Sequence, residues 1–174
     1  MTAPFILRAP TRADVPALSI LSIAAFVAKF GTLYRPEDLL PFLADTYSGP
    51  ALAAALADPA NVYQVAERGG VLVGWCRLAL RPAFPEHARG ARPMELKQLY
   101  TAHNAQGAGI GAALMDWAMA EFAARGADEV QLSVWSRNPG AQRFYARYGF
   151  AKTAEVFFRV GQQLDEEFLF TRAM

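Results

Sequence analysis

The sequence predicts a single domain with a mixed α/β fold. Its 174 residues are 53% hydrophobic, and a chain of this length can bury one real core. A strand–helix–strand stretch at 94–135 requires a parallel crossover connection. Gly69 and Gly70 separate two strand-like runs, which indicates an antiparallel hairpin. We therefore expect mixed layers of helices and strands in one domain covering residues 1–174.

The first half of the chain predicts one strand, three helical segments and a strand pair. Thr11 fits an N-cap for the first helix, and a proline with two acids at 36–38 favours the start of the second. In order, we expect a strand at Phe5–Ala9, helices at Val15–Phe30, from Pro36 and at Pro50–Ala57, and strands at Val62–Glu67 and Val71–Leu80.

The second half predicts strands that alternate with helices before a closing strand pair. Apolar residues between Ile110 and Ala118 recur at helical spacing, and Gly126 fits a helix end. Val130, Leu132 and Val134 alternate with other side chains as in a strand. The expected elements are strands at Met94–Thr101, Glu129–Trp135, Ala154–Val160 and Glu167–Thr171, and helices at Gly109–Arg125 and Asn138–Tyr148.

Composition excludes several classes of protein. The net charge of +1 leaves no broad basic field for nucleic acid or an anionic membrane. No charge-free apolar run reaches the roughly 18 residues of a membrane span, and the prolines and arginines near the start argue against a signal peptide. One cysteine, Cys76, excludes an internal disulfide and fits a cytoplasmic chain with a buried structural thiol. His87 and His103 lie far apart, so we expect no metal site.

The segment from Gln106 to Gly111 is the most informative part of the chain. Its glycines stand between a predicted strand and a predicted helix, where uncovered N–H groups and the helix dipole suit a phosphate or pyrophosphate. The pattern is Q-x-x-G-x-G. Leu114 stands where the dinucleotide fingerprint has its third glycine, and the chain has no Gly-Lys pair for a mononucleotide P-loop.

A second constellation follows about 30 residues later, and with it the sequence resembles a known family. Asn138-x-x-Ala141-x-x-Phe144-Tyr145-x-x-x-Gly149-Phe150 is similar to the second motif of the GNAT superfamily of N-acetyltransferases, whose acetyl-CoA loop resembles the glycine segment. Leu99-Tyr100-Thr101 matches the strand end before that loop, although valine is more usual than Thr101. The resemblance implies the GNAT fold, a central twisted mixed sheet of about six to seven strands flanked by about four to five helices.

The resemblance also implies a co-substrate, acetyl-CoA, and the residues that bind it. The loop amides would hold the pyrophosphate, strand backbone would pair with the pantetheine arm, and Asn138 would bond that arm, although helix N-capping alone also explains Asn138. The implied cofactor-binding residues are Leu99, Tyr100, Thr101, Gln106, Gly107, Ala108, Gly109, Ile110, Gly111, Asn138 and Tyr145.

Two catalytic residues follow from the same resemblance. Tyr145 would protonate the leaving thiolate, and Glu95 would act as general base for the acceptor amine. The alternative for Glu95 is a strand carboxylate paired with Lys97. The expected acceptor is a small-molecule amine. Candidate residues for its pocket, by location, are Tyr34, Glu37, Phe84, Glu86, Trp135 and Phe158.

The identity of the acceptor stays open in the sequence. Pro36-Glu37-Asp38, Met94–Tyr100 and Phe158–Gly161 with Asp165 resemble the spermidine/spermine N-acetyltransferase-like branch, which implies a polyamine-like or other cationic amine. The alternatives are a protein lysine or N-terminus as acceptor, and a non-catalytic acyl-CoA-binding module. Homodimerisation through the last strands is a further expectation, because Val156, Phe157, Phe168 and Phe170 are apolar.

Overall fold

The computed structural model describes residues 4–174, in which seven strands and five helices follow one another in the predicted order. The strands are β1 (Ile6–Arg8), β2 (Asn61–Arg68), β3 (Val71–Ala79), β4 (Pro93–Thr101), β5 (Glu129–Trp135), β6 (Ala151–Val160) and β7 (Gln163–Ala173). The helices are α1 (Val15–Phe30), α2 (Pro36–Tyr47), α3 (Gly49–Ala57), α4 (Ile110–Ala124) and α5 (Pro139–Arg147). The mixed α/β prediction is therefore confirmed, and the observed elements differ from the predicted ones at their ends.

All seven strands form one mixed sheet in the order β1-β2-β3-β4-β5-β7-β6. Every neighbouring pair is antiparallel except β4 and β5, which run parallel and are joined by α4 as the predicted crossover. The β2–β3 hairpin turns at Gly69 and Gly70, both at positive φ (56° and 79°). That left-handed backbone is the conformation that glycine adopts without a steric penalty.

The parallel pair β4–β5 is short, and this shortness opens the middle of the sheet. The two strands pair only from Pro93 with Glu129 to Glu95 with Gln131. Beyond that point β4 stays with β3, and β5 stays with β7. Lys97 is an extra residue on β4, because Arg77 pairs with Gln98 while the next β3 residue pairs with Leu96. Such a bulge bends its strand, and bulges are common beside active sites. A cleft therefore forms between the two halves of the sheet.

The core lies in two layers, one on each face of the sheet. Successive strand residues serve opposite faces, as the 2-residue period requires. Trp75 joins the cluster under α1, α2 and α3, whereas its neighbour Cys76 joins the cluster under α4. Cys76 is fully buried, and burial raises the pKa of its thiol to about 12. The expectation that this cysteine is buried is thus confirmed.

The start of α1 differs from the sequence prediction. Thr11 caps a short 3₁₀ turn at Arg12–Asp14, so Asp14 is the N-cap of α1 itself. Asp14 accepts a hydrogen bond from the Thr11 amide at 2.6 Å and pairs with Arg8 at 2.7 Å. The sequence could not show this turn because the ion pair that fixes it comes from β1. The prediction of Thr11 as cap of the long helix was therefore wrong by one turn.

One helical segment, Arg12–Phe30, has the length and composition of a membrane span, with a mean hydropathy of 1.6. In the fold this segment packs against β3, α2 and α3. Val15, Leu18, Leu21 and Phe26 are buried in the core cluster under these helices. Core packing therefore accounts for the apolar residues on that side of the helix.

Candidate active site

A cavity of about 1070 Å³ lies at the cleft between β4 and β5. Its walls come from the diverging strands, the glycine segment, α5, and the face that α1 and α2 cover. The predicted cofactor residues line it at one end, and aromatic and charged side chains line the other. One continuous cavity thus joins the two ends, which is the geometry that a transfer between two bound molecules needs.

The glycine segment forms an open cradle at the first end. Gly107 and Gly109 have positive φ (77° and 79°), and a Cβ added to either would meet no atom within 4 Å. Gly109 is the N-cap of α4, and no side chain caps that helix start. The first amides of α4 are therefore left without side-chain partners, at the positive end of the helix dipole. A pyrophosphate fits this cradle.

The sequence-predicted cofactor residues lie together. Ala108 differs from the rest, because its side chain packs on the core instead of lining the cavity. The predicted cofactor residues that line the cavity are Leu99, Tyr100, Thr101, Gln106, Gly107, Gly109, Ile110, Gly111, Asn138 and Tyr145.

Helix α5 carries Asn138 and Tyr145 to the same cavity. The Asn138 side-chain oxygen accepts a hydrogen bond from the Ala141 amide at 3.3 Å, so it does cap the helix. In residues 4–174 its amide nitrogen donates to no protein group, which leaves it available to a ligand. Tyr145 packs edge-on against Phe144 and Phe150. Burial, with the nearby Cys76 as a smaller cause, raises the pKa of Tyr145 well above its usual value, so its hydroxyl stays protonated.

Glu95 sits at the base of the cleft, in the last pair before β4 and β5 diverge. It is 4% exposed. Its Oε2 accepts a hydrogen bond from the Ala83 amide at 2.9 Å, and its Oε1 lies 3.4 Å from Lys97 Nζ. Both oxygens therefore have partners, and the pairing with Lys97 expected from their spacing is present.

The second end of the cavity is walled by aromatic rings. Phe26 contacts four other rings, with centroids 4.9 to 6.1 Å apart, and Phe30 meets Trp135 edge-on at 5.9 Å. Of the six residues predicted by location, Tyr34, Phe84, Trp135 and Phe158 line the cavity. Glu37 and Glu86 are exposed and do not, because each lies in the first turn of its helix and faces solvent.

Charged residues outside the six predicted by location also line this end, among them Asp165, Glu167 and Arg77. Asp165 and Glu167 are two residues apart on β7, so both face the cavity while Glu166 points away. Burial raises the pKa of Glu167, and the nearby Asp165 and Glu95 add to this effect. Arg77 reaches the cavity from β3. Strand alternation could have separated Asp165 and Glu167 from Glu166 had β7 been extended back to Gln163.

Among residues 4–174, no three His, Cys, Asp or Glu side chains are grouped so that they could hold a metal ion. The two histidines lie on separate 3₁₀ turns, at Pro85–His87 and His103–Ala105.

Relatives in sequence share nearly the whole chain. An uncharacterised N-acetyltransferase of Mycobacterium bovis is 30% identical over 162 residues, which cover 92% of this chain and 98% of that protein. An uncharacterised N-acetyltransferase of Lactobacillus delbrueckii subsp. lactis is 26% identical over 161 residues, covering 92% of each.

Solved structures share the fold. The PaiA N-acetyltransferase of Thermoplasma acidophilum, crystallised with coenzyme A, superposes with a TM-score of 0.79 at 18% identity, covering 98% of this chain and 99% of that chain. The ribosomal-protein-S18-alanine N-acetyltransferase of Escherichia coli gives 0.72 at 13% identity, covering 98% and 94%. The acetyltransferase (GNAT) family model matches residues 28–150, from the end of α1 through the α5 motif. The chain therefore belongs to the acetyltransferase (GNAT) family and is an N-acetyltransferase with acetyl-CoA as its co-substrate.

Proposed function

We propose that the protein transfers the acetyl group of acetyl-CoA to the primary amine of a small molecule, by direct attack of the amine on the thioester. The observation that carries this proposal is the single cavity that joins the glycine cradle to the aromatic end. A phosphate-bearing donor fits one end, and a cationic amine fits aromatic rings and carboxylates at the other.

On the donor side, the amides of the glycine cradle hold the pyrophosphate of acetyl-CoA, with Gln106 at the entrance. Acetyl-CoA supplies an activated acetyl group on a thiol that leaves readily. Within residues 4–174, the N–H and C=O groups of β4 that face β5 beyond Glu95 have no strand partner, so they are free to bond the pantetheine arm. A strand N–H near Leu99 polarises the carbonyl oxygen, as in an oxyanion hole.

Glu167 is our candidate for the general base, alongside the Glu95 expected from the family resemblance. A carboxylate takes a proton from an ammonium more readily when its own pKa is raised, and burial raises the pKa of Glu167. Glu167 lies in register with Trp135, next to the cleft. The Glu95 oxygens are already bonded to Ala83 and Lys97. This pairing favours a different role for Glu95, in which it positions Lys97 and the bulge of β4.

Tyr145 supplies the proton that the leaving thiolate takes up. Its raised pKa keeps it in the acid form through the physiological range. A thiol has a reference pKa of about 8.5. Proton donation by Tyr145 therefore speeds the departure of the thiolate of coenzyme A without being indispensable near pH 7.

A small acceptor is favoured over a protein chain by the outer wall of the cavity. The Tyr34 hydroxyl donates a hydrogen bond to Asp165, which joins the α1–α2 connection to β7. Asp38 of α2 accepts the Gln162 amide at 2.9 Å. Both ties join the helical cover of the cavity to β7 and the turn before it, and we take this covered wall as unfavourable for an extended peptide. The E. coli structural relative is named for a ribosomal-protein alanine, so a protein N-terminus remains the second candidate.

The test is acetyl-CoA-dependent acetylation of a panel containing polyamines, monoamines, amino acids and peptides, with released thiol as readout. We expect at least one small amine to be acetylated faster than any of the peptides. Turnover of peptides alone would move the function to a protein acetyltransferase. Tight acetyl-CoA binding with no thiol release on any acceptor would indicate a binding module.

A further inference from the structure

Arg77 has a half-buried guanidinium without a carboxylate partner. In the described part of the chain, no Asp or Glu oxygen lies within ion-pair distance of it. Its Nε donates to Asn61 Oδ1 at 2.9 Å, and its Cζ stands over the Tyr63 ring at 5.8 Å. Asn61 also donates to Asp58 at 3.3 Å, so an amide stands between the cation and that acid.

The two terminal nitrogens of Arg77 remain open. Among residues 4–174 they donate no hydrogen bond to the protein, although Asn61 and Tyr63 fix the orientation of the group. A guanidinium presents its donors as a planar fork that matches a carboxylate. An oriented fork that is half-buried and unpaired is therefore a prepared site for an anion.

The surroundings of Arg77 carry more positive than negative charge. A second cavity of about 200 Å³ is lined by Arg77, Arg81 and Lys97, with Glu95 as its single acid. Glu95 and Lys97 already pair at 3.4 Å, so their charges offset one another. The net positive charge of this second cavity therefore comes from Arg77 and Arg81. Arg77 and Lys97 also line the main cavity. The anion site and the acceptor site thus share a wall.

The carboxylates of the main cavity lie on the opposite side of the cleft. In the strand order β3-β4-β5-β7, Arg77 on β3 and Glu167 on β7 are three strands apart. Paired strands would place the two backbones about 14 Å apart, and the cleft, where β4 and β5 no longer pair, widens this separation. Their side chains reach inward from both sides. The acceptor end therefore has a cationic pole and an anionic pole, separated by the length of a small molecule.

We infer that the acceptor is an amine that also carries a carboxylate several bonds from its nitrogen, with Arg77 binding the carboxylate. This inference rests on the proposed function, because it concerns the acceptor of that reaction. It separates the acceptor class from linear polyamines, which would place a second ammonium against Arg77. The aromatic walls accommodate the alkyl chain between the two charged groups.

Two pairs of matched amines test the inference: 6-aminohexanoate against 1-aminohexane, and lysine against cadaverine. In the wild-type enzyme the carboxylate-bearing member of each pair should have the higher kcat/KM, by about 10- to 100-fold. Arg77→Met should bring the two members of each pair to within about twofold, and Arg77→Lys should retain part of the difference because it keeps the charge without the fork. Arg12→Met, an exposed cation far from the cavity, should keep the full ratio.

Equal kcat/KM values within both pairs in the wild type, or a ratio that survives Arg77→Met, would overturn the inference while leaving acetyl transfer intact. If no amine is acetylated at all, the proposed function itself fails, so the two failures are distinguishable. Should Arg77→Met not fold by circular dichroism, the wild-type and Arg77→Lys ratios still decide.

Discussion

Glu95 on β4 and Gln131 on β5 form the last residue pair that joins these parallel strands. Immediately beyond it the sheet divides, and the cavity occupies the gap. The pair therefore marks the base of the candidate active site. The proposed donor groups on β4 and the proposed acceptor groups on β7 face one cavity because pairing stops there.

The glycine cradle can be tested against a matched glycine elsewhere in the chain. Gly109 and Gly70 both have φ of 79°, and a Cβ added to either meets nothing within 4 Å. Alanine at either position should cost about 1–2 kcal/mol of unfolding free energy, because a side chain disfavours the left-handed backbone. Only Gly109→Ala should also weaken coenzyme A binding, by about tenfold. Thermal unfolding and calorimetric titration measure the two effects. Equal coenzyme A affinity in both variants would contradict the proposal that the glycine cradle binds the pyrophosphate.

Tyr145→Phe should lower kcat by about 100-fold while leaving the Kd of coenzyme A unchanged, because the variant removes only a proton donor. The matched control is Tyr148→Phe. The Tyr148 hydroxyl bonds Asp116 at 2.9 Å, outside the cavity. That variant should change stability slightly and kcat not at all. Steady-state kinetics with thiol detection measures both, and a fully active Tyr145→Phe would remove Tyr145 from the mechanism.

The two candidate bases predict different pH profiles. If Glu167 is the base, kcat/KM of the wild type rises with pH through its pKa, which burial places above the usual value for glutamate. Glu167→Gln should abolish this acid limb, and Glu95→Gln should keep it. Loss of the limb in Glu95→Gln alone would return the role of base to Glu95.

The same residue predicts a pH-dependent change in stability. The folded-state pKa of Glu167 is raised, so its contribution to stability is full below the unfolded pKa of about 4.3 and declines as pH rises through the folded pKa. Glu167→Gln should therefore unfold at a higher temperature than the wild type at pH 8. The difference should vanish near pH 4. A difference of the same size at both pH values would show that Glu167 is not buried as described.

The ion pair between Arg8 and Asp14 gives the opposite pH dependence. Hydrogen bonding to Arg8 lowers the pKa of Asp14, so its stabilisation is present at neutral pH and is lost as pH falls below about 3.9. Asp14→Asn should cost about 1–2 kcal/mol at pH 7. Asp45→Asn, an exposed control, should cost close to nothing. Denaturant unfolding at pH 7 and pH 3 measures the two costs.

Local patterns in the sequence predict the order of elements, the crossover and the glycine cradle, because each depends on residues close together in the chain. At the acceptor end, the sequence predicted the aromatic residues Tyr34, Phe84, Trp135 and Phe158 by location but not the charged residue Arg77. Arg77 lies in an otherwise apolar strand, and its open fork depends on Asn61 and Tyr63 of the neighbouring strand. The strand β7 begins at Gln163, four residues before its predicted start, because pairing with β6 extends it through polar residues.

The predicted dimer surface also depends on which face of the sheet each residue occupies. Val156 and Phe170 are buried core residues, whereas Phe157 is 62% exposed. Apolar composition alone could not distinguish the two, since strand alternation sends adjacent residues to opposite faces. Homodimerisation therefore stays a prediction, with Phe157 of the edge strand β6 as its clearest candidate contact.

The central claim is that one cavity brings a thioester donor and a small amine acceptor together. The most direct measurement is amine-dependent release of thiol from acetyl-CoA, followed together with the acetylated amine by mass spectrometry. The account predicts one thiol per acetylated amine, in a reaction that Gly109→Ala impairs through acetyl-CoA binding and Tyr145→Phe impairs through kcat. Acetyl-CoA binding without amine-dependent thiol release, across small amines and peptides alike, would contradict it.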